Sequence, residues 1–290
     1  MALDLDALDF EANWPSEDWD YDRSVDPDAA ETITFLEDAI KAGRFDSVQE
    51  IFEHPEQHRL SERPGSALFF AVQLKHHDIV SYLLQHGIKA EVSHAKVATI
   101  DRDIPALELL LQHGWAINEP LEWAVPPALA FAVEDAELTA WFLAHGTSPN
   151  ARCYLDITPF SAAVQYAPLS TIHTMFEHGG SIVRGQLLHY AVWRKLDDRL
   201  IVMTFLLSQN PPIDKVMYYD LPECYEQQKR FSLGTALHDA AAAGDLPIVG
   251  LLVANGFNLS TRDSLGRLPL ERARENHHEA VAEYLQALSR

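Results

Sequence analysis

One phrase recurs along this chain: a small pair (Ala-Ala or Ala-Val), a short stretch, two adjacent large apolar residues, two more residues, then Gly. It runs from Ala71-Val72 through Leu83-Leu84 to Gly87, from Ala163-Val164 through Met175-Phe176 to Gly179, and from Ala240-Ala241 through Leu251-Leu252 to Gly256. A looser copy joins Ala98-Thr99, Leu110-Leu111 and Gly114. A shortened one joins Ala132-Val133, Phe142-Leu143 and Gly146, and a stretched one joins Ala191-Val192, Leu206-Leu207 and Asn210. Gly146 and Gly179 stand 33 residues apart. A fixed period of this size denotes stacked units, none of which folds alone.

The phrase predicts two short antiparallel helices per unit. Small Ala residues let the first helix approach its neighbours closely. The large pair gives the second helix an apolar stripe at helical spacing. The closing Gly supplies the left-handed backbone that ends it.

The family resemblance rests on specific stretches. Gly234-Thr235-Ala236-Leu237-His238-Asp239-Ala240-Ala241 resembles the G-x-T-P-L-H-x-A-A motif of ankyrin repeats, with Ala236 in the Pro place. Asp263-Ser264-Leu265-Gly266-Arg267-Leu268-Pro269-Leu270 resembles the hairpin start, with Leu268 replacing Thr. Thr158-Pro159-Phe160-Ser161-Ala162-Ala163 is another copy, with Ser161 in the His place. The resemblance implies an all-α ankyrin-repeat solenoid of stacked helix-turn-helix units, about eight over residues 32–290, the first and last serving as caps. Units starting near Thr32, Ser93 and Val125 are degenerate.

Two segments break this grammar. Residues 1–31 carry eleven acids against one base, Arg23, interleaved with Phe10, Trp14, Trp19 and Tyr21. This reads as an acidic N-terminal arm, either a solvated tail or a recognition segment. The second break is an insertion at 215–233, far longer than an ordinary junction, with Tyr218, Tyr219, Tyr225 and Phe231. It either packs over its flanking repeats or serves function.

Composition narrows the function classes. A net charge of −21 disfavours phosphate backbones, so no nucleic acid is expected. No stretch approaches the length of a membrane span, and no basic-then-apolar leader is evident, so no membrane is expected and a cytoplasmic (or nuclear) location is. Two cysteines, Cys153 and Cys224, without CxxC spacing fit a reducing compartment and no cysteine-rich zinc site.

Fourteen histidines invite a metal or acid–base reading, and the repeat removes most of them. His86, His113, His145 and His178 each precede a terminating Gly, where a helix dipole favours a donor or cation. His76-His77-Asp78 and His277-His278-Glu279 share one offset before a second helix. His189 and His238 occupy the motif place, which in the family carries structural hydrogen bonds. His58, His94 and His173 have no repeat explanation. No G-x-S-x-G, Walker, G-x-G-x-x-G or H-E-x-x-H motif is present, and no metal or cofactor is expected.

The resemblance implies binding through a concave face built from hairpin tips and the two residues after each small pair. Those pairs are Gln73 and Leu74, Ile100 and Asp101, Glu134 and Asp135, Gln165 and Tyr166, Trp193 and Arg194, Ala242 and Ala243, and Glu275 and Asn276. Hairpins add Trp123, Tyr154, Leu155, Ile157, Leu265 and Arg267. Exposed Trp, Tyr and Arg are typical hot-spot residues. A central groove of Trp123, Tyr154, Tyr166, Trp193, Arg194, Tyr218, Tyr219 and Tyr225 is therefore expected to hold a partner protein, making the chain an interaction module or scaffold. The alternative is an enzyme or small-molecule carrier. Its apolar ligand would sit in the same groove, roofed by residues 215–231, with Glu134, Asp156, Arg194, His238 and Asp239 as its polar machinery.

Overall fold

The structure, a computed structural model, describes residues 27–54 and 65–289. Most of the acidic arm, with Phe10, Trp14, Trp19 and Tyr21, lies outside the described residues, as does His58. The described residues are all-α, without strands; a single bridge links Glu122 and Val125. They divide into two compact units, one ending at Leu121 and one starting at Glu122.

The first unit is three helix pairs: α1 (Pro27–Lys41) with α2 (Phe45–Glu53), α3 (Gly65–Gln73) with α4 (His77–Gln85), and α5 (Val92–Ile100) with α6 (Ile104–Gln112). First helices pack on first helices and second on second. The small residues Ala39, Ala67, Ala71, Ala95 and Ala98 are fully buried between the first helices. Leu83, Leu107 and Leu110 are buried from the second. Helix α1 begins at Pro27, inside the segment assigned to the arm.

The second unit opens with a degenerate pair, a 3-10 turn at Ala128–Phe131 and α7 (Ala136–Ala144). Pro127 stands at the N-cap of the 3-10 turn, where the next repeat has Thr158, so this helix start lacks a side-chain cap. Three full pairs follow: α8 (Pro159–Tyr166) with α9 (Leu169–Glu177), α10 (Leu187–Trp193) with α11 (Arg199–Ser208), and, beyond a short helix α12 (Pro222–Gln228), α13 (Ala236–Ala243) with α14 (Leu246–Ala254). The pair α15 (Pro269–Glu275) and α16 (Glu279–Leu288) closes the unit. Helix α10 packs directly on α13, and α11 on α14, so the insertion leaves the stack unbroken.

Each expected helix terminator has positive φ: Gly87, Gly114, Gly146, Gly179 and Gly256, and Asn210 in the stretched copy. The preceding histidines do more than sit at a dipole. His86, His113, His145 and His178 each lie 2.7–2.9 Å through Nδ1 from the carbonyl four residues back, Tyr82, Leu109, Trp141 and Thr174. Each ring adds a second bond to a last-turn carbonyl that already accepts the histidine's own backbone N–H at 3.0–3.2 Å. Asn255 does the same to Leu251 at 2.8 Å.

Neighbouring repeats are joined at the start of the first helix. The backbone N–H of Thr235 donates to His238 Nδ1 (3.1 Å), so Nε2 carries the proton and donates to the carbonyl of Arg267 in the next hairpin (3.1 Å). His94, which the repeat alignment left unexplained, makes a similar pair of bonds but toward the preceding repeat: it accepts from Glu91 N–H (2.9 Å) and reaches the carbonyl of Gly65, the first residue of α3 (3.3 Å). Burial, first of all, holds both imidazoles below the usual histidine range.

Ser161 replaces this histidine with a much shorter side chain. It still accepts from Thr158 N–H (3.1 Å) and donates to Gly185 O at 2.6 Å. The next hairpin must therefore come closer, and residue 185 is a Gly at φ +75°. A Cβ there would stand 2.5 Å from Ser161 Oγ and 2.6 Å from Thr158 Oγ1. We expect Gly185→Ala to destabilise the second unit by about 2–3 kcal/mol, a clash added to the positive-φ cost. Gly146→Ala, where a Cβ meets nothing within 4 Å, loses only about 1 kcal/mol. Urea unfolding of the two variants measures the difference.

Candidate partner-binding surface

Helix α10 ends at Arg194, placed in the groove by the repeat alignment. The structure corrects this: its guanidinium is wholly buried. Nη1 donates to Val164 O (2.9 Å) and Nη2 to Ala167 O (2.8 Å), at the carboxyl end of α8. Nε and Nη2 also grip Asp198 at 2.7 and 2.8 Å. Those hydrogen bonds, ahead of the charge itself, hold the Asp198 carboxyl below the usual range. Arg194 is thus a cap for a neighbouring helix; five donors in a planar fork satisfy carbonyls that α8 leaves over.

Other expected groove positions are closed by the chain itself. Gln165, Leu155 and Ile157 are buried. At the equivalent places of the first unit, Gln73, Leu74, Ile100 and Asp101 are exposed, as are Glu275 and Asn276 near the carboxyl end. Tyr166 and Trp193 are half-buried. Trp193 meets Tyr190 edge-on at 5.2 Å, with the His189 ring 6.1 Å away.

Tyr190 was not singled out by the sequence reading. It follows the motif histidine of its unit, where the other copies carry Asp239 and Ala162, and that small-residue register is the signal that marks it. Burial drives its phenol well above the ordinary tyrosine range, reinforced by Tyr218, Cys153, Asp156 and Tyr166 nearby.

The insertion is folded, with α12 followed by a 3-10 turn at Lys229–Phe231. On one side the Cys224 thiol donates to Tyr154 O at 3.0 Å. Met217 N–H bonds Gly234 O at 2.9 Å. On the other, Ser264 pairs with Leu233 through backbone and side chain, and Ser264 Oγ also donates to Lys229 O. Tyr218, expected to contact a ligand, is instead buried, and burial raises its phenol; its aromatic surface packs the insertion down. Tyr225 is half-buried, while Tyr219 is 69% exposed.

Asp263 anchors the far side. Its side chain is fully buried and accepts from Ser232 Oγ (2.8 Å), from the backbone N–H groups of Leu265 and Arg267 (2.9 Å each) and from Arg267 Nε (3.1 Å). Arg272 lies 3.4 Å away and also holds Ser232. Burial alone would raise this carboxyl, but the hydrogen bonds from Arg267, Ser232 and Leu265 and the Arg267 charge outweigh it and bring it to about 2.

The polar residues of the enzymatic alternative are largely engaged in the fold. Asp156 accepts from Gly185 N–H (3.2 Å) and Gln186 Nε2 (2.9 Å). Asp239 Oδ2 lies 2.7 Å from His189 Nδ1, with Arg272 3.6 Å from Oδ1. His238 and Arg194 hold the repeats as described, and Glu134 is exposed. His173 is exposed, its ring 4.3 Å from that of Phe205. Among the described residues no group of three or more His, Cys, Asp or Glu converges as a metal site would require, and no helix is long and apolar enough to cross a membrane.

What the surface offers is aromatic. Trp123 and Tyr154, from adjacent hairpins, stack with ring centroids 5.0 Å apart and planes 23° apart, tied by Tyr154 N–H to Trp123 O (3.0 Å). Trp123 is 55% exposed. Beside Tyr154 an open cleft of about 470 Å³ runs between Arg152–Tyr154 and Leu221–Cys224.

Comparison with known proteins agrees with the repeat fold. The ankyrin-repeat family (many copies) matches residues 237–286, and the single ankyrin repeat matches residues 66–96. The chain is an ankyrin-repeat protein. Over 59 residues, 20% of this chain, it is 42% identical to cyclin-dependent kinase inhibitor 2A of Monodelphis domestica, covering 34% of that protein. Over 56 residues, 19% of this chain, it is 43% identical to cyclin-dependent kinase 4 inhibitor B of Bos taurus, covering 43% of it. The human cyclin-dependent kinase inhibitor 2A is likewise 43% identical over 56 residues, 36% of its length. The chain therefore spans less than half of each relative.

Two outcomes follow from the buried polar groups. Arg194→Ala should cost about 3–5 kcal/mol, because it strips two carbonyls and Asp198 of their partner. Arg194→Lys should not restore the loss, since one ammonium cannot span all three; thermal unfolding of both variants checks this. The Asp263 carboxyl lies below its unfolded value of about 3.9, so its contribution is present above that pH and lost as pH falls toward 2. The difference in unfolding free energy between the natural chain and Asp263→Asn, measured by urea unfolding, should be widest near neutrality, at about 2 kcal/mol, and shrink between about pH 4 and pH 2.

Proposed function

We propose that this chain is a protein-binding module that holds its partner against the hairpin face of the second unit, around the Trp123–Tyr154 stack, with the insertion as a fixed ledge beside it. One observation carries this reading. The insertion is pinned to both flanking hairpins, while Trp123, Tyr219 and Phe231 are 55%, 69% and 61% exposed. Large aromatic side chains held outward on a rigid frame are the anchors of protein interfaces.

The repeat family and the relatives support a protein partner. By their names those relatives inhibit cyclin-dependent kinases, so a kinase is one partner class worth testing here. A small apolar ligand has less support. The cleft beside Tyr154 opens to solvent, and the pocket between Gln186, His189 and Tyr219 measures only about 50 Å³, far less than the several hundred Å³ of ordinary ligand sites. Two free thiols support a reducing, cytoplasmic or nuclear setting.

Trp123 and Tyr219 serve as probes because they are exposed, whereas Tyr166 and Trp193 are half-buried and their loss would confound folding with binding. The partner is captured by photo-cross-linking in lysate of the native cell, purified, and titrated calorimetrically. Trp123→Ala/Tyr219→Ala should weaken Kd by about 100-fold with an unchanged circular dichroism spectrum and Tm. Unchanged affinity in the double variant sinks the proposal.

A further inference from the structure

We infer that the partner contacts this surface through a cationic segment, an Arg or Lys lying over the open face of Trp123 with an apolar neighbour in the adjoining cleft. This rests on the docking reading above and names its chemistry.

Three observations converge. Tyr154 covers one face of the Trp123 indole, and the 55% exposure of Trp123 leaves the other face to solvent. An indole face is the best aromatic acceptor for a cation. Among the described residues no Lys or Arg lies over it, whereas at the far end of the insertion the same chemistry is met within the chain: Arg230 sits 4.8 Å over the Phe231 ring.

Within the second unit the chain on either side of Trp123 is acidic. No Lys or Arg precedes Arg152 there, and the stretch carries four carboxylates, Glu122, Glu134, Asp135 and Glu137. In the second unit Glu122 adjoins Trp123, and Glu134 and Glu137 are exposed; neither Glu134 nor Glu137 forms an ion pair with another described residue. Arg152, at the edge of the cleft, lies 4.0 Å from Asp156. Such a field raises the encounter rate of a cationic partner and rejects an anionic one.

The cleft supplies the apolar half. Tyr154, Leu221 and Pro222 line it, with Glu223 beside them. It is about 470 Å³, enough for a side chain next to the stacked cation. An acidic partner would meet Glu122 beside Trp123 and Glu223 in the cleft with Arg152 as the one cation there, and a purely apolar one would leave the field unused.

The test uses the full chain and a set of synthetic nonapeptides in a Gly/Ser background carrying two Arg-Leu pairs, with Gln-Leu and Glu-Leu counterparts. Binding is read from the Trp123 indole N–H resonance, assigned by its absence in Trp123→Ala. The Arg peptide should bind about tenfold more tightly than the Gln peptide, and the Glu peptide should leave the resonance unmoved. For Trp123→Ala, read calorimetrically, the Arg preference should shrink to within about twofold; Glu134→Gln should weaken Arg binding by about threefold and Ile201→Ala should leave it unchanged. Equal affinity for the Arg and Gln peptides, or an Arg preference that survives Trp123→Ala, overturns the inference. If the captured partner still depends on Trp123 while the Arg peptide shows no preference, the docking surface stands and its cationic specificity falls.

Discussion

The hydrogen bond from the start of a first helix to the neighbouring repeat, made by His94, Ser161 and His238, is the constraint on which the rest depends. An isolated helix of seven to ten residues is marginal in water. Here each one gains from its neighbours only if the hairpins keep one spacing. His238 and His94 set it with a ring whose two nitrogens face opposite ways, one accepting from the helix's own cap and one donating to an adjacent repeat, at Arg267 of the following hairpin and at Gly65 of the preceding helix start. Ser161 cannot span that distance, so its contact at 2.6 Å draws Gly185 inward, and only a residue without a Cβ fits there. One shortened side chain thus dictates the identity of a residue 24 positions away.

The insertion obeys the same economy. Neighbouring helix pairs stack across it as though it were absent, because its polar groups are satisfied by the hairpins on either side. Cys224 meets one hairpin and Ser232 the other, and the buried Asp263 carboxylate gathers the second group of contacts. Aromatic residues divide accordingly. Tyr218 is spent on holding the segment down, while Tyr219, its immediate neighbour, faces outward. A rigid ledge costs a partner little ordering entropy on binding, which is why pinned aromatics suit an interface better than a mobile loop would.

Much of this was legible in residue order. The small pairs, the large pairs and the closing Gly residues predicted the helices, and the left-handed φ values fell where the phrase ended. The histidines before those glycines were correctly read as structural. His94 was not, because Glu91 stands where the motif has Thr and hides the register. Arg194 was misread for a different reason: its position after the small pair is exposed elsewhere, and burial of a guanidinium depends on two carbonyls of α8 and on Asp198, which no local pattern announces.

By itself, then, the sequence determined the repeat, the residues that end its second helices and the aromatic enrichment of the middle units, since periodicity and capping act over a few residues. Only the tertiary structure decided which of those aromatics remain accessible. Tyr190 and Tyr218 are enclosed while Trp123 and Tyr219 are not, because exposure is set by contacts between residues tens of positions apart. Trp123 became a candidate site through its stacking on Tyr154, 31 residues later in the chain.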